Sequence, residues 1–330
     1  MMIWREPSDI PAYDGAVVTV GVFDGVHKGH KAILHAAVQR AKDMGLPAVA
    51  LTFDPHPSVV HHPDVPAPLV ISVDDRLQRL EAAGLWATYV QRYDLSYAQL
   101  TAEEFVERQL VEQLKARAVV VGADVRFGAG NTGDQEKLRE LGERFGFSVH
   151  IVSDVRSPEG RRWSSTWVRE LLDKGDVAGA ARVLGRPHRV RGKVRRGFQR
   201  GRALGFPTAN LSGDGLGEIP RDGVYAGWVV VRVPGTQAAE YLPSAISVGT
   251  NPQFDDVTER TVEAHVLGRA DLNLYGQEIA IDFMEYLRPM LKLRSVEELL
   301  RQMDDDLRAV AEVLAVPVPS RIDPRAVTAQ

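Results

Sequence analysis

The sequence contains no cysteine and no apolar run long enough to cross a bilayer. The lack of cysteine excludes disulfides, thiolate zinc sites, iron–sulfur clusters and cysteine nucleophiles, and it fits a reducing compartment. The first residues lack the apolar stretch of a signal peptide, so we expect a cytoplasmic protein. The formal net charge of −4 over 330 residues provides no global attraction to nucleic acid or anionic lipid. Any site for an anion must therefore be built locally.

The first half of the chain alternates between strand-like and helix-like hydrophobic patterns. The nearly continuous apolar run at 16–23 predicts a strand buried on both faces. Residues 31–45 have apolar positions at helical spacing and end in Gly45, a plausible C-cap. Because the alternation continues to about residue 153, it predicts an α/β domain with a doubly wound parallel sheet.

The second half has a different pattern. After Gly185, short strand-like runs separated by turn residues predict an antiparallel barrel or sandwich. An amphipathic segment over 295–315 predicts one closing helix. We therefore expect two unrelated domains, 1–185 and 186–330, each with its own site.

The stretch GVFDGVHKGH, residues 21–30, joins the first predicted strand to the first predicted helix. In an open parallel sheet this turn lies at the carboxyl edge of the strands, where ligands bind. Gly25 and Gly29 let the backbone approach a ligand closely. His30 falls near a helix N-terminus, which favours an anion. These features favour a phosphate site.

Two other interpretations of this turn stay open. A metal site would need a third ligand, and His56, His61 and His62 are the candidates, but they lie in a proline-rich loop without a metal-binding spacing. The histidines of the turn could also be incidental to its structure.

The pattern G-x-F-D-G-x-H-x-G-H resembles the signature of the nucleotidyltransferase superfamily, in the form found in bacterial bifunctional riboflavin kinase/FMN adenylyltransferases (FAD synthetases). Further segments follow in the order of that family: TFDPHP (52–57), VGADVRFG (121–128), SSTWVRELL (164–172), GRALGFPTAN (201–210), GVYAG (223–227), SVGTNP (247–252) and VEAHVL (262–267). The resemblance covers nearly the whole chain. It implies a Rossmann-like nucleotidyltransferase domain followed by a riboflavin kinase β-barrel with a C-terminal helix.

The implied chemistry of the first domain is adenylyl transfer from ATP to FMN. The FMN phosphate is already ionised at pH 7, so the main demands are positioning and electrostatic stabilisation. We predict His27, His30 and Arg169 as the catalytic residues. The residues predicted to bind ATP or phosphate are Gly21, Phe23, Asp24, Gly25, Lys28, Gly29, Ser164, Ser165 and Thr166.

The segment from Ser164 to Arg169 has a simpler alternative. Ser164, Ser165 and Thr166 are natural N-cap residues, and Arg169 lies one turn further on the face of Thr166. Plain capping would explain the hydroxyls, whereas a cradle for pyrophosphate explains the arginine as well.

The resemblance also assigns His56, Asp124 and Phe127 to loops that hold the flavin or the nucleotide. Two positions of this domain depart from the family pattern: Asp124 stands where an amide is frequent, and Val125 where an aromatic residue is usual.

In the second domain, Thr208 and Asn210 offer hard oxygen donors suited to Mg²⁺ carrying ATP phosphates. The basic loop before them is predicted to wrap phosphates through Gly201, Arg202 and Gly205. A solvated basic hairpin is the alternative for this loop. An RNA-binding loop is a third interpretation, but it lacks clustered aromatic residues.

The substrate hydroxyl of the kinase reaction must lose a proton, and a positioned carboxylate is the usual base. Glu263 lies on a predicted strand, where a glutamate usually faces solvent, and the resemblance makes it the expected base. The resemblance also assigns Tyr225 and Asn251 to flavin loops. Gln253 departs from the usual threonine of the family.

The expected reactions consume riboflavin, FMN and ATP, use Mg²⁺ in both steps, and yield FAD. The expected partners are these small molecules, with neither nucleic acid nor membrane, and a homo-oligomer is left open. Two alternatives remain: only one half is catalytically competent, or the chain is a flavin sensor without turnover.

Overall fold

The computed structural model describes residues 1–65, 69–196, 205–211, 215–233, 238–250, 260–269 and 271–320. The chain divides by packing into two compact units, one of residues 1–69 and 73–165, the other of residues 70–72 and 166–330. No helix of the described residues is long and apolar enough to cross a membrane.

A six-stranded sheet forms the centre of the first unit. Its strands are β1 (Met2–Trp4), β2 (Ala16–Val20), β3 (Ala48–Asp54), β4 (Ala87–Arg92), β5 (Ala116–Gly122) and β6 (Ser148–Val152). They lie in the order β1-β4-β3-β2-β5-β6, and every neighbouring pair is parallel. The predicted parallel sheet is therefore confirmed. The strand order reverses between β2 and β5, the kind of point at which α/β sheets bind ligands.

Helices connect these strands. They are α1 (Lys28–Met44), α2 (Pro57–His61), α3 (Val73–Ala82), α4 (Leu95–Ala98), α5 (Ala102–Glu104) and α6 (Gln135–Phe145), and α5 continues as a π-helix over Phe105–Gln113. Gly45 adopts a left-handed conformation (φ 63°) and ends α1, as its sequence position predicts. The central strand β2 is buried over its first four residues, which explains its continuous apolar pattern.

The second unit contains a closed antiparallel barrel. Its strands are β7 (His188–Arg195), β8 (Ala209–Leu211), β9 (Gly223–Arg232), β10 (Ala239–Gly249), β11 (Thr261–Val266) and β12 (Glu278–Arg288). The order around the barrel is β10-β11-β8-β7-β12-β9, closed by the pairing of β9 with β10. Of the two predicted architectures, the structure has the barrel.

Among the described residues, three helices belong with this barrel: α7 (Ser165–Asp173), α8 (Val177–Leu184) and the C-terminal α9 (Val296–Leu314). The hydroxyl of Ser295 accepts a hydrogen bond from the Glu298 amide at 3.1 Å and caps the start of α9. The Arg288 guanidinium donates two hydrogen bonds, of 2.7 and 2.6 Å, to the Asp306 carboxylate, which attaches α9 to β12. The predicted closing helix is confirmed.

The predicted boundary at Gly185 differs from the division between the compact units, which falls at residue 165. Helix α8 packs against β12 and β7, and the amide of Arg221 donates to the Leu172 carbonyl of α7 at 2.9 Å. The change of pattern at Gly185 marks where helices give way to strands. It does not mark a change of packing partner, because α7 and α8 already pack with the barrel.

Candidate active sites

The turn after β2 is tightly folded. Phe23, Gly25 and Val26 all adopt left-handed backbone conformations, with φ of 53°, 78° and 41°. These conformations reverse the chain within a short 3₁₀ turn, Asp24–Val26, so that α1 begins at Lys28. The glycine at position 25 suits this geometry because it has no Cβ.

His27 and His30 lie against each other at the start of α1. Their rings stack with centroids 3.7 Å apart, and Nδ1 of His27 accepts a hydrogen bond from the His30 amide at 3.3 Å. Because Nδ1 is the acceptor, a neutral His27 carries its proton on Nε2. In that tautomer the donor proton of His27 is on Nε2.

Gly29 permits this stacking. A Cβ at position 29 would lie 3.1 Å from Cε1 and Nδ1 of His27 and 3.2 Å from the Trp163 carbonyl oxygen. A larger residue would push the histidine or the backbone of Trp163 aside. Beside it, the exposed Lys28 places its ammonium 4.8 Å from the ring centroid of Trp163, as a cation–π pair.

The surroundings of His30 favour its neutral form over the imidazolium ion. Burial and the neighbouring charges of His27 and Arg162 hold the pKa of His30 well below its usual value. Its Nδ1 is buried without a hydrogen-bond partner in the described parts of the chain. A buried polar atom of this kind costs free energy unless it is paired, so a ligand at this position would satisfy it.

A cavity of about 420 Å³ opens at the carboxyl edge of the sheet. Its wall includes the carboxyl-terminal parts of four strands, at Val20, Phe53, Gly122 and Val152. The predicted site residues that line it are Gly21, Phe23, His27, Gly29, His30, Asp124 and Phe127. The structure thus brings together residues from segments about 100 positions apart in the sequence.

Three predicted residues of this domain have other surroundings. His56 caps α2, where its Nδ1 accepts from the Ser58 amide at 3.0 Å, and its neighbour Pro57 lines the cavity. Asp24 and Gly25 are buried in the turn itself. His56 supports its loop, and Asp24 and Gly25 support the turn. That these three residues contact a ligand stays a prediction.

Arg162, which also lines this cavity, was not predicted from the sequence. Its guanidinium contacts the carboxylate of Asp124, and its Nε lies 3.6 Å from Asp154. The only signal was its place just before SST, in the segment RRW. Because surface arginines are common, that segment alone does not separate a ligand-binding arginine from a solvated one.

An aromatic wall was also missed. The ring centroids of Tyr93 and Tyr97 lie 5.7 and 6.1 Å from that of Phe53, and all three residues line the cavity. Burial raises the pKa of both tyrosines, most strongly that of Tyr97. Flat rings of this kind suit a planar heterocycle.

The SST segment begins α7. The hydroxyl of Ser165 donates to the backbone carbonyl of Asp24 at 2.8 Å. This bond attaches the segment to the turn of residues 21–30, here called the histidine turn. Ser164 precedes the helix, and Thr166 and Arg169 share one of its faces. Because Thr166 and Arg169 belong to the second compact unit, their role toward the histidines stays a prediction.

Thr208, Asn210 and Glu263 meet on the barrel. Glu263 on β11 pairs with Asn210 on β8, and the hydroxyl of Thr208 donates to Oε2 of Glu263 at 3.4 Å. The Asn210 amide donates to the Thr208 hydroxyl at 3.2 Å. The three side chains predicted to bind metal and to act as base therefore form one cluster.

Burial raises the pKa of Glu263, and the hydrogen bond from Thr208 partly opposes that shift. A carboxylate with a raised pKa is a better proton acceptor near neutral pH than an ordinary surface glutamate. The solvent-facing interpretation of this strand glutamate therefore does not fit its surroundings.

Tyr225 lies on the other face of the sheet. It pairs with Ile246, whereas Glu263 pairs with the next residue, Ser247, and successive residues of a strand point to opposite faces. The Tyr225 side chain is fully buried, and its hydroxyl donates to the Arg221 carbonyl. Its predicted place beside the flavin is therefore not on the face that carries Glu263.

The remaining predicted residues of the second domain are only partly described. Gly205, the first residue of GFPTAN, has a left-handed backbone (φ 86°) shortly before β8 begins at Ala209. Gly201, Arg202 and Asn251 lie outside the described residues. Across the described ranges, no group of three or more histidine or acidic side chains is placed to hold a metal ion, so the metal interpretation of the histidine turn gains no support.

A parallel sheet with a histidine turn at its reversal point, joined to a barrel bearing a threonine–asparagine–glutamate cluster, defines a class of two-domain phosphate-transferring enzymes. Residues 9–167 match the model of the FAD synthetase family, and residues 184–314 match the riboflavin kinase family. This chain belongs to the bifunctional riboflavin kinase/FMN adenylyltransferase family.

Curated relatives support this membership over nearly the full length. The bifunctional riboflavin kinase/FMN adenylyltransferase of Escherichia coli K12 is 32% identical over 93% of this chain and 95% of its own. That of Listeria monocytogenes is 34% identical over 88% and 90%. A crystal structure described as a macrolide-efflux protein from Streptococcus pneumoniae is similar in fold, with a TM-score of 0.81, 30% identity and coverage of 94% and 98%. The family, the fold and the bifunctional enzyme class expected from the sequence are confirmed.

Proposed function

We propose that the first unit transfers AMP from ATP to FMN and that the second phosphorylates riboflavin, so that one chain converts riboflavin to FMN and FMN to FAD. The observation that carries the first assignment is the stacked histidine pair in the wall of the sheet-edge cavity. The observation that carries the second is the contact of Thr208 with Glu263 on the barrel.

In the adenylyl transfer, a phosphate oxygen of FMN attacks the α-phosphorus of ATP, and the bond to pyrophosphate breaks. Because the nucleophile is already an anion, no protein base is needed. The proposed work of the chain is to hold the phosphates in line and to stabilise the added negative charge. His27 Nε2–H, neutral His30 and Arg162 are the proposed donors, and Ser164, Ser165, Thr166 and Arg169 are proposed to hold the leaving pyrophosphate.

In the kinase reaction, Glu263 takes the proton of the terminal ribityl hydroxyl while that oxygen attacks the γ-phosphorus of ATP and ADP leaves. The raised pKa of the carboxyl supports this role. The Thr208 hydroxyl donates to Oε2 of Glu263 at 3.4 Å and so helps to fix the carboxylate.

Magnesium is part of the proposal for the kinase site. The hydroxyl of Thr208 and the amide oxygen of Asn210 are hard oxygen donors, so these two residues fit the ion. When bound, Mg²⁺ would neutralise charge on the ATP phosphates. In the adenylyl transfer we expect Mg²⁺ to arrive with ATP.

We retain the cytoplasm as the expected location, because both reactions consume ATP. Riboflavin, FMN and ATP are the expected partners, and a homo-oligomer stays open. Incubation of the chain with riboflavin, ATP and Mg²⁺, and separately with FMN, tests the function by chromatography of the flavins. The proposal expects FMN and then FAD from riboflavin, and FAD from FMN. A single competent half would carry out only one reaction, and a sensor would yield neither product.

A further inference from the structure

Arg76 of α3 is an almost fully buried arginine, with 1% of its side chain exposed. It stands outside every motif of the sequence analysis. Burying a guanidinium is costly unless its charge and its hydrogen bonds are compensated. The contacts of this side chain therefore indicate what the buried charge is for.

The Arg76 guanidinium joins the ends of two neighbouring strands. Its Nη1 donates to the carbonyl of Val22 at 2.8 Å, and its Nη2 donates to the carbonyl of Phe53 at 3.0 Å. Val22 lies within the histidine turn after β2, and Phe53 lies near the end of β3, beside the cavity. One planar fork thus spans two backbone segments that line the cavity.

The charge of Arg76 is compensated from the same two segments. Burial lowers the pKa of Arg76, whereas the carboxylates of Asp24 and Asp54 oppose that shift and Arg5 adds to it. Asp24 belongs to the histidine turn, and Asp54 follows Phe53. An arginine stays protonated in proteins, so this ion holds both segments by charge as well as by hydrogen bonds.

Two other side chains hold the same turn. The Thr52 hydroxyl donates to the Val22 carbonyl at 3.0 Å, and the Ser165 hydroxyl donates to the Asp24 carbonyl at 2.8 Å. Arg76 differs from both because it bonds the turn and the end of β3 from a third element, α3, with two arms of one guanidinium. A lysine would supply the charge at one point but not the fork.

We propose that Arg76 is a positioning residue of the adenylyl-transfer site, which sets the height of the histidine turn relative to the end of β3. This inference rests on the proposed function of the first unit. In this proposal Arg76 touches no substrate. It acts through Val22, and so through the placement of His27 and His30. Misplacement of catalytic groups by about 1 Å can cost on the order of a hundredfold in rate.

The test compares Arg76→Lys and Arg76→Met with Arg139→Met. Arg139 is an exposed arginine of α6 that forms an ion pair of 2.8 Å with Glu136 on the surface. Both reactions are measured for each full-length variant, because riboflavin phosphorylation reports on the second unit. Thermal unfolding gives the folded fraction at the assay temperature.

We expect Arg76→Met to lower kcat for FMN adenylylation about 100-fold and Arg76→Lys about 10-fold, with KM for FMN changed less than kcat. Phosphorylation of riboflavin should stay within about twofold, and Arg139→Met should resemble the wild type in both reactions. Folded variants with wild-type adenylylation would overturn the proposal. So would a parallel fall of both activities with the folded fraction, or failure of both variants to fold, since Arg76 would then serve only the fold. Absence of adenylylation in the wild type would contradict the proposed function instead.

Discussion

The sheet-edge site of the first unit and the barrel site of the second are proposed to handle phosphate by different means. The first has stacked histidines and an arginine, and its proposed reaction needs no base because the nucleophile is already ionised. The second places a half-buried glutamate against a threonine, and its proposed reaction needs a base because the nucleophile is a neutral hydroxyl. The comparison teaches that the protonation state of the attacking oxygen determines which side chains a phosphate site needs. Changes in one unit should therefore affect one reaction only.

The largest expected effect comes from the base. Glu263→Gln keeps the shape of the side chain and removes its basicity, and we expect it to lower FMN formation from riboflavin by about 100- to 10,000-fold. FAD formation from supplied FMN should stay near the wild-type rate. Chromatography of both products over time measures this. Near-normal phosphorylation would show that Glu263 does not take the proton.

The matching change in the first unit is His30→Ala. It removes a neutral imidazole beside His27, and we expect FAD formation from FMN to fall about 100-fold or more, since loss of one fixed donor to a charged transition state costs about that much. Riboflavin phosphorylation in the same protein is the control. An equal loss of both reactions in a folded variant would contradict the separation of the two sites.

The pH dependence should separate the sites further. Burial raises the pKa of Glu263 above its ordinary 4.5, and the base works only when deprotonated. The kcat/KM for riboflavin phosphorylation should therefore fall as the pH drops through that raised pKa, and the residual rate of Glu263→Gln should lack this limb.

The rate of adenylylation should follow a different pH dependence, set by the FMN phosphate, because the second pKa of a phosphate monoester is about 6. The pKa of His30 is held well below its usual value, so His30 should add no limb near 6.5. A kinase profile without an acid limb assignable to Glu263 would argue against its role as base.

The smallest expected effect concerns the boundary between the units. A chain that begins at Thr166 keeps α7 and α8, whereas one that begins at Arg186 loses both. Val183 and Leu184 of α8 are fully buried, and α8 packs against the barrel. We expect the shorter chain to unfold about 5 °C lower or more, with riboflavin binding retained in both. If the two chains unfolded at the same temperature, α7 and α8 would not stabilise the barrel, and the boundary between the domains would lie at Gly185.

The locally encoded parts of the structure were predictable. The turn at 21–30 and the end of α1 at Gly45 follow from glycines, caps and apolar spacing within a few residues. The three-residue strands β1 and β8 escaped prediction because so short a run has no measurable period. The sequence of the π-helix over Phe105–Gln113 has normal helical spacing, so it does not distinguish this segment from an ordinary α-helix.

The candidate sites were predictable where one motif carries them. His27 and His30 lie in one turn, and Thr208 and Asn210 in one segment. Arg162 and Tyr97 were not predicted, because what makes them part of the cavity is the arrival of other chain segments beside them. Tyr225 was assigned to the flavin from its motif, but strand register puts it on the face opposite Glu263.

The sequence by itself determined the order of strands and helices, the class of each domain and the chemical types of residue at each site, because these depend on neighbours within a few positions. Tertiary structure alone decided which distant residues meet. Arg76 becomes a bridge between Val22 and Phe53 only because β2 and β3 lie side by side in the sheet. Glu263 gains its raised pKa only because the folded barrel partly buries it, and the Thr208 hydroxyl, which opposes that shift, reaches its carboxylate only in the folded barrel. Burial and pairing across the sheet depend on the whole fold, and no short stretch of sequence carries them.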